Sequence, residues 1–254
     1  MHLILTGATG LVGSAALAHI LSLPAGSVSR LSILSRRPVP MAENKPNVTV
    51  IEHRDFSQYP TELLEKLKGA NGCIWAQGIS QNDVSKDEYI KITLDYPLAA
   101  AKAFSGLSDS FKFVYVSGEG ATTNPGRLTP LFGTVKGQAE EALLKLSKEI
   151  PTLKPYSVRP AFVDPHNHTE VLKAVASRAN QQTFQRKIID NGLGPVFRCL
   201  YQGMVSPTPD LGRFLTDLAM GDGEPLNGDG VSGEGRTVSN KAFRRIAKVG
   251  AKVT

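Results

Sequence analysis

Three glycines near the start of the chain have the spacing of a phosphate-binding loop. Gly7, Gly10 and Gly13 follow the apolar run 2–5 and lead into a helical pattern of apolar residues. A strand that ends at glycines and continues as a helix directs unpaired backbone N–H groups and the positive end of the helix dipole at one point. That point suits a pyrophosphate, so the segment predicts a dinucleotide site. The loop residues predicted to hold the dinucleotide are Gly7, Thr9, Gly10, Leu11, Val12 and Gly13.

The end of the second predicted strand indicates which dinucleotide is bound. An NAD site usually carries a carboxylate there, about 20 residues after the glycine loop, to accept hydrogen bonds from the ribose. In this chain the position holds Arg36 and Arg37 instead. Guanidinium groups donate bidentate hydrogen bonds that suit a 2′-phosphate. The sequence therefore favours NADP(H) over NAD(H).

Further short motifs follow the later predicted strands. Together with the loop and Arg36 they are Asp55 and Phe56, Ala76 to Gly78, Val116 and Ser117, Lys136, and the run 159–165. With these motifs the chain resembles the short-chain dehydrogenase/reductase superfamily in its atypical or extended branch. It is similar to the small NAD(P)-binding Rossmann proteins that include the human Tat-interacting tumour-suppressor protein and its fungal homologues. The resemblance spans nearly the whole chain.

The resemblance implies cofactor contacts at the matched positions. Asp55 and Phe56 would border the adenine, and Lys136 would hold the nicotinamide ribose. The remaining positions would line the cofactor or meet its carboxamide through the backbone; they are Ala76, Gln77, Gly78, Pro160, Ala161, Phe162 and Val163.

The resemblance also implies a catalytic pair, Ser117 and Lys136, with one departure beside it. Ser117 would polarise a substrate carbonyl. In the family a tyrosine four residues before the lysine transfers the proton, but this chain has Phe132 there. Phenylalanine has no ionisable group, so any acid must be a non-standard one.

Other residues could replace the missing acid. Glu119 follows Ser117 closely, and His166 and His168 lie in the loop after the last predicted strand. Histidine titrates near neutral pH, which suits it to the role, although a His-x-His pair in a polar loop is more often simply solvated. The sequence does not supply a set of further ligands around these histidines, and we expect no metal site.

Apolar runs alternate with helical patterns, which predicts a doubly wound parallel sheet of the Rossmann type. The predicted strands are 2–6, 30–35, 48–52, 72–76, 111–117 and 156–163. Ser85 is predicted to cap a helix that runs toward Phe104 and is kinked or divided by Pro97. Thr129 is predicted to cap the next helix, with Pro130 in its first turn and an end near 147. Weaker helical patterns cover 169–179 and 210–220.

We expect a single domain over 1–254. Its cofactor-binding core would be 1–164, and a small C-terminal subdomain, 165–235, would cover the substrate. A basic terminal helix would follow in 236–254. In such sheets ligands bind beyond the carboxyl ends of the strands, so an irregular segment there is a natural cover.

The positive charge of the chain is concentrated in this last segment. The chain has 29 Lys and Arg against 23 Asp and Glu, and the difference equals the six cations of 236–254, which contains no acid. Phe243, Ile246 and Ala247 give this segment an apolar face, so we expect a helix docked on the body. A surface contact with a membrane or polyanion stays open as the alternative, and we do not expect a nucleic-acid partner.

Composition restricts the cellular setting. No apolar run approaches the length of a membrane span. The glycine loop begins so soon after Met1 that we expect no cleaved leader. Cys73 and Cys199 are far apart, so we expect structural thiols in the cytoplasm. A small-molecule substrate and a monomer or dimer are expected.

Three functions are compatible with this sequence. The first is NADP(H)-dependent reduction or isomerisation of a small organic carbonyl or related compound. The second is a non-redox cyclisation or rearrangement in which NADP(H) is a fixed part of the pocket. The third is a non-catalytic protein that senses the dinucleotide or binds a partner.

Overall fold

A mostly parallel sheet of eight strands forms the centre of the fold. The computed structural model describes residues 1–176 and 200–250. The six long parallel strands are β1 (His2–Thr6), β2 (Arg30–Ser35), β3 (Val48–Glu52), β4 (Gly72–Trp75), β5 (Phe111–Val116) and β6 (Leu153–Val158). They lie in the order β3-β2-β1-β4-β5-β6, so the strand order reverses beside β1. This confirms the predicted doubly wound α/β fold.

Short strands complete the architecture. β7 (Phe162–Asp164) pairs with β8 (Val205–Pro207) in a separate two-stranded sheet, and β9 (Val231–Ser232) and β10 (Thr237–Val238) extend the main sheet beyond β6. The strand predicted at 156–163 is thus wrong as a single element. Pro160 has no N–H for the ladder, and the chain leaves the main sheet before it resumes as β7.

Helices cover both faces of the sheet. They are α1 (Leu11–Ser22), α2 (Thr61–Leu67), α3 (Lys86–Ile90), α4 (Tyr96–Phe104), α5 (Leu131–Glu149), α6 (Thr169–Ala176), α7 (Thr208–Met220) and α8 (Asn240–Ile246). One buried cluster joins α1, α7 and α8 to one face, and a second joins α2, α4 and α5 to the other. Alternate residues of each strand serve the two clusters, as the two-residue period of a strand requires.

Part of the segment 165–235, for which we expect a substrate cover, packs in the core. Helix α7 packs so tightly on α1 that a Cβ at Gly212 would lie 2.4 Å from the carbonyl oxygen of Ala15. It is therefore part of the core, and β9 belongs to the main sheet. The helix predicted at 169–179 ends at Ala176 within the described residues; its last positions lie outside them.

The helix predicted from Ser85 to Phe104 is divided. Ser85 caps α3 by accepting a hydrogen bond from the N–H of Glu88 at 3.2 Å, as predicted. A π-helical turn, Lys91–Asp95, separates α3 from α4, whose first turn contains Pro97. Pro97 cannot donate to the carbonyl of Thr93, and the Tyr115 hydroxyl donates to that oxygen at 3.1 Å instead.

The start of α5 differs by one residue from the prediction. The capping position is Pro130, with extended backbone, and Leu131 opens the helix. The hydroxyl of Thr129 accepts a hydrogen bond from the N–H of Gly126, so it closes the preceding loop and does not cap α5. The N–H of Phe132 donates instead to the Gln81 side chain at 2.8 Å.

The basic end of the described chain is docked, as expected. Ser239 caps α8 through the N–H of Ala242, and Phe243 is fully buried. Arg244 and Arg245 donate to the carbonyls of Val205 and Asn227, so part of the positive charge stabilises the fold.

Cys73 is buried in β4 and unpaired with another cysteine. Cys199 lies outside the described residues. Among the residues that the structure describes, no helix is both long enough and apolar enough to cross a membrane.

Candidate functional site

The carboxyl edge of the sheet brings the predicted site residues together. The glycine loop follows β1, Arg36 follows β2, Asp55 lies after β3, and Ala76 and Ser117 directly follow β4 and β5. Parallel strands end at the same edge, so residues far apart in sequence become neighbours here. Since the strand order reverses beside β1, the glycine loop occupies the position where doubly wound sheets bind ligands.

The glycine loop has a backbone path that side chains would block. Gly7 has φ +69°, and a Cβ there would lie 2.3 Å from the carbonyl oxygen of Ala76. A Cβ at Gly13 would lie 2.1 Å from the carbonyl oxygen of Gly7, while the Gly10 N–H donates to that oxygen at 2.7 Å. The loop therefore packs closely on the end of β4 and presents the N-terminus of α1. These features fit the phosphates of a dinucleotide.

A cavity of about 650 Å³ opens beside this loop. Its walls include Thr9, part of α1, the segment 37–45 and α6. Arg37, Lys45 and Lys173 contribute positive charge to the lining and Glu170 contributes a negative charge, while Arg36 is not among the lining residues. The structure thus places Arg37 beside the loop together with two lysines that the sequence did not single out.

Asp55 and Phe56 face different environments. The Asp55 carboxylate is exposed and accepts hydrogen bonds from the N–H and hydroxyl of Ser57, which lower its pKa. The ring of Phe56 is buried and meets Trp75 edge to face at a centroid distance of 5.8 Å. An adenine at this edge could therefore meet the Asp55 side chain but not the face of the Phe56 ring.

Lys136 projects from α5 onto the end of β5. Its ammonium donates to the carbonyl oxygen of Ser117 at 2.5 Å and to that of Val116 at 3.4 Å. Burial lowers the pKa of Lys136 to about 8, while the Glu140 carboxylate one turn later acts in the opposite direction. Lys136 therefore exchanges between ammonium and amine at a lower pH than an exposed lysine does.

Ser117 is buried, and its hydroxyl is directed away from Lys136. It donates to Oε1 of Glu140. Arg159, at the end of β6, binds the same carboxylate through Nε at 2.9 Å and Nη2 at 2.5 Å. The resemblance implied a serine that polarises a substrate carbonyl; in this structure the hydroxyl is engaged inside the protein.

Gly118, and not the Ser117 hydroxyl, faces the Lys136 ammonium. A Cβ at Gly118 would lie 3.6 Å from Nζ of Lys136, and a Cβ at Gly120 would lie 3.4 Å from the Phe132 ring. Phe132 is half-buried beside this loop. The part of the site around Lys136 is thus formed by glycine backbone and an aromatic ring.

The candidate replacement acids are engaged or exposed. The Glu119 carboxylate accepts from the N–H of Asn240 at 2.9 Å, at the start of α8. The His168 ring lies 2.8 Å from the hydroxyl of Thr208, and burial lowers its pKa. His166 is exposed to solvent. Among the described residues, none of the three is hydrogen-bonded to Lys136.

Hydrogen bonds to neighbouring elements hold the segment 160–163 in place. The Ala161 N–H donates to the Ser206 hydroxyl at 3.0 Å, and that hydroxyl donates to the buried Asn240 side chain at 2.6 Å. Pro160 is buried, and its carbonyl accepts from the N–H of Glu119. The backbone predicted to meet the carboxamide is therefore fixed by contacts to β8 and α8.

Sequence reasoning missed Glu140, Gly118 and Gln81. Glu140 lies four residues after Lys136, and that spacing puts both on one side of α5. A carboxylate four residues after the lysine indicates a buried polar cluster. Gly118 and Gln81 gave no comparable signal, because their roles depend on loop geometry.

Sequence similarity to known proteins places the chain in a family. No protein-family model matches the chain. It is 35% identical over 263 residues to the leucinostatins biosynthesis cluster protein T of Purpureocillium lilacinum, covering 96% of this chain and 94% of that protein. It is 43% identical over 156 residues to the botcinic acid biosynthesis cluster B protein 16 of Botryotinia fuckeliana, covering 59% of this chain and 96% of the relative.

Solved structures share the fold at low sequence identity. A short chain dehydrogenase/reductase from Saccharomyces cerevisiae matches with a TM-score of 0.62 and 14% identity, covering 94% of this chain and 95% of that chain. The Bordetella bronchiseptica enzyme WbmF, solved in complex with NAD+, matches with a TM-score of 0.61 and 13% identity, covering 99% and 79%. The chain therefore belongs to the same family as the leucinostatins biosynthesis cluster protein T, and it has the Rossmann fold of these short-chain dehydrogenase/reductase structures.

Proposed function

We propose that the protein binds NADP(H) and reduces or isomerises a small organic carbonyl or related substrate with a non-standard acid. The observation that carries this proposal is the glycine loop between β1 and α1, where Gly7 and Gly13 pack too closely for any side chain. A pyrophosphate fits such a loop because the loop presents backbone N–H groups and a helix N-terminus. The names of both curated relatives refer to biosynthesis clusters, which supports a biosynthetic substrate.

Positive charge beside the loop supports the 2′-phosphorylated cofactor. Arg37 and Lys45 line the cavity next to Thr9, and Arg36 lies in the same turn after β2. In the proposal these cations recognise the 2′-phosphate, and Asp55 borders the adenine. The backbone of Ala76–Gly78 and of 160–163 lines the remainder of the cofactor.

The chain's own residues limit how a proton can be supplied. When bound, NADPH supplies a hydride. Lys136 holds the nicotinamide ribose in this proposal and also carries a proton that it loses at a lower pH than an exposed lysine does. We assign the non-standard acid to Lys136, because Phe132 has no proton to give and the Ser117 hydroxyl is bound to Glu140. Ser117 then acts on the site through its main-chain carbonyl, which accepts from the Lys136 ammonium, and not through its hydroxyl.

A second candidate is a non-redox rearrangement or cyclisation with NADP(H) as a fixed part of the pocket. The surroundings of Lys136 favour it, since Gly118 and Phe132 offer shape and an aromatic surface but no hydroxyl. Such a site would act by positioning an already reactive molecule.

NADPH consumption separates the two candidates. The purified protein is first titrated with NADPH, which tests binding, and is then assayed for steady NADPH oxidation with a panel of aldehydes and ketones. Turnover above a Lys136→Gln control supports the reductase. Tight NADPH binding without turnover on any carbonyl favours the non-redox candidate, and no binding of NADPH or NADH overturns both.

A further inference from the structure

Glu140 is a buried carboxylate at the centre of a polar cluster behind the site. It is 4% exposed and lies on α5, one turn after Lys136. Its two oxygens accept from the Ser117 hydroxyl after β5 and from the Arg159 guanidinium after β6. A charge is buried at this depth only where partners compensate the loss of hydration. Here the partners come from two neighbouring strand ends.

The same strand end carries the acceptors of the Lys136 ammonium. Nζ of Lys136 donates to the main-chain carbonyls of Val116 and Ser117. The side chain of Ser117 is fixed by Glu140 while its carbonyl receives Lys136. One residue therefore connects the buried carboxylate to the position of the ammonium.

We infer that Glu140 is a positioning residue for Lys136: it fixes Ser117 and Arg159 at the strand ends and keeps the Lys136 ammonium charged and directed at the end of β5. The inference rests on the proposed function in one respect, that Lys136 contacts NADPH. The effect of Glu140 on the charge of Lys136 is independent of any ligand.

Among the described residues, few charged or titratable groups surround Glu140 and Lys136. Glu140 is on the same helix as Lys136, Arg159 binds that carboxylate, and Glu119 interacts electrostatically with Arg159. Tyr115 of β5 and Tyr89 of α3 are the neutral titratable groups nearby, and burial raises the pKa of both. Glu140 is the carboxylate that opposes the effect of burial on Lys136.

The first experiment measures the protonation of Lys136 without any ligand. The full chain is labelled with 13C at the lysine ε-carbon, the Lys136 signal is assigned with Lys136→Arg, and the chemical shift is followed from pH 6 to 11. In Glu140→Gln we expect the midpoint to fall by at least about 0.5 pH unit, because a nearby carboxylate stabilises the charged amine. Glu141→Gln is the matched control on the exposed side of α5 and should leave the midpoint unchanged.

Glu140→Gln leaves the Arg159 guanidinium without its carboxylate and could unfold. The double variant Glu140→Gln with Arg159→Gln removes both charges and is compared with Arg159→Gln alone, because loss of the Arg159 cation by itself raises the Lys136 midpoint. A Lys136 midpoint that is the same in folded Glu140→Gln and the wild type, or in the double variant and Arg159→Gln, overturns the inference.

The second experiment uses NADPH itself. If Lys136 must be charged to hold the cofactor, Glu140→Gln should weaken binding by about twofold more at pH 8 than at pH 6.5, because a lower midpoint reduces the charged fraction of Lys136 mainly at the higher pH. A role limited to folding would weaken binding equally at both pH values, which would contradict the inference. If the wild type binds no NADPH, the proposed function fails while the titration of Lys136 still decides the inference.

Discussion

Lys136, Phe132 and Gly118 define what chemistry the site can perform. Lys136 brings a proton that burial makes titratable near pH 8, and the other two bring no hydroxyl. The serine that sequence resemblance implied as catalytic is turned toward Glu140. At the scale of residues, the protein combines a glycine loop that fits a dinucleotide with a buried lysine whose neighbours at 118 and 132 carry no hydroxyl.

Adding two hydroxyls beside Lys136 should increase hydride transfer. Gly118→Ser places a hydroxyl beside Lys136, where a Cβ has an ordinary contact of 3.6 Å and no left-handed backbone is required. Phe132→Tyr adds the phenol one turn before Lys136. For a reductase we expect the double variant to oxidise NADPH with carbonyls at least about 100-fold faster than the wild type. A folded, NADPH-bound double variant with no gain would count against a reductase and for the non-redox candidate.

The arginines after β2 should decide between the two dinucleotides. Arg36→Ala and Arg37→Ala should each weaken NADPH binding by about tenfold or more, since each removes a charge-assisted contact to the 2′-phosphate. NADH binding should change little. Calorimetric titration of both nucleotides measures this, with the exposed Arg54→Ala as the control. Equal losses for NADPH and NADH would refute the assignment.

Helix α5 positions Lys136 and Phe132 because it packs in close contact with the loop after β5. A Cβ at Gly137 would lie 1.9 Å from the carbonyl oxygen of Thr122, and one at Gly133 would lie 2.6 Å from that of Gly120. These two glycines let the loop approach the helix at the turns that carry Phe132 and Lys136. At the scale of elements, glycines on one face of α5 set the distance between the lysine and β5.

A methyl group added at the contact between Gly137 and Thr122 should destabilise the fold. Gly137→Ala improves helix propensity by up to about 1 kcal/mol, but the clash with Thr122 forces the loop away. We expect a net loss of about 1–3 kcal/mol in the free energy of unfolding, measured by urea denaturation, together with weaker NADPH binding. Gly106→Ala, where a Cβ meets nothing within 4 Å, is the control. Unchanged stability in Gly137→Ala would show that this contact is looser than described.

The whole molecule encloses its sheet on both faces, and this burial also affects residues far from the site. His2 lies in β1, is 7% exposed and is within 2.9 Å of the Ser32 hydroxyl. Burial, and to a lesser extent Arg30, lowers the pKa of His2 to about 4. At the scale of the molecule, this links stability to pH.

Stability should fall in acid because of His2. The unfolded chain protonates this residue below about pH 6.5, whereas the folded chain does so only near pH 4, so protonation favours unfolding between these values. No stability is lost above about pH 6.5, and the loss of unfolding free energy due to His2 reaches about 3 kcal/mol by pH 4. His2→Gln should reduce the loss of unfolding free energy over this range, measured by urea denaturation. The exposed His166→Gln should not, and identical pH profiles for His2→Gln and the wild type would contradict the account.

The sequence by itself determined the fold class, the glycine loop and the docked basic helix. These depend on local patterns, namely glycine spacing, strand and helix periodicity, and an apolar helical face, and such patterns can be read without knowing what lies nearby. It also identified Phe132, because helix register places that residue relative to Lys136.

Only the tertiary structure decided what Ser117 and Glu140 do. The direction of a hydroxyl depends on which buried group needs a partner, and Glu140 needs Ser117 and Arg159 from two different strand ends. The structure likewise showed that α7 belongs to the core, because its contact with α1 joins segments far apart in sequence. Long-range packing selects among the partners that local sequence leaves open, and in this protein it directed the serine toward the interior.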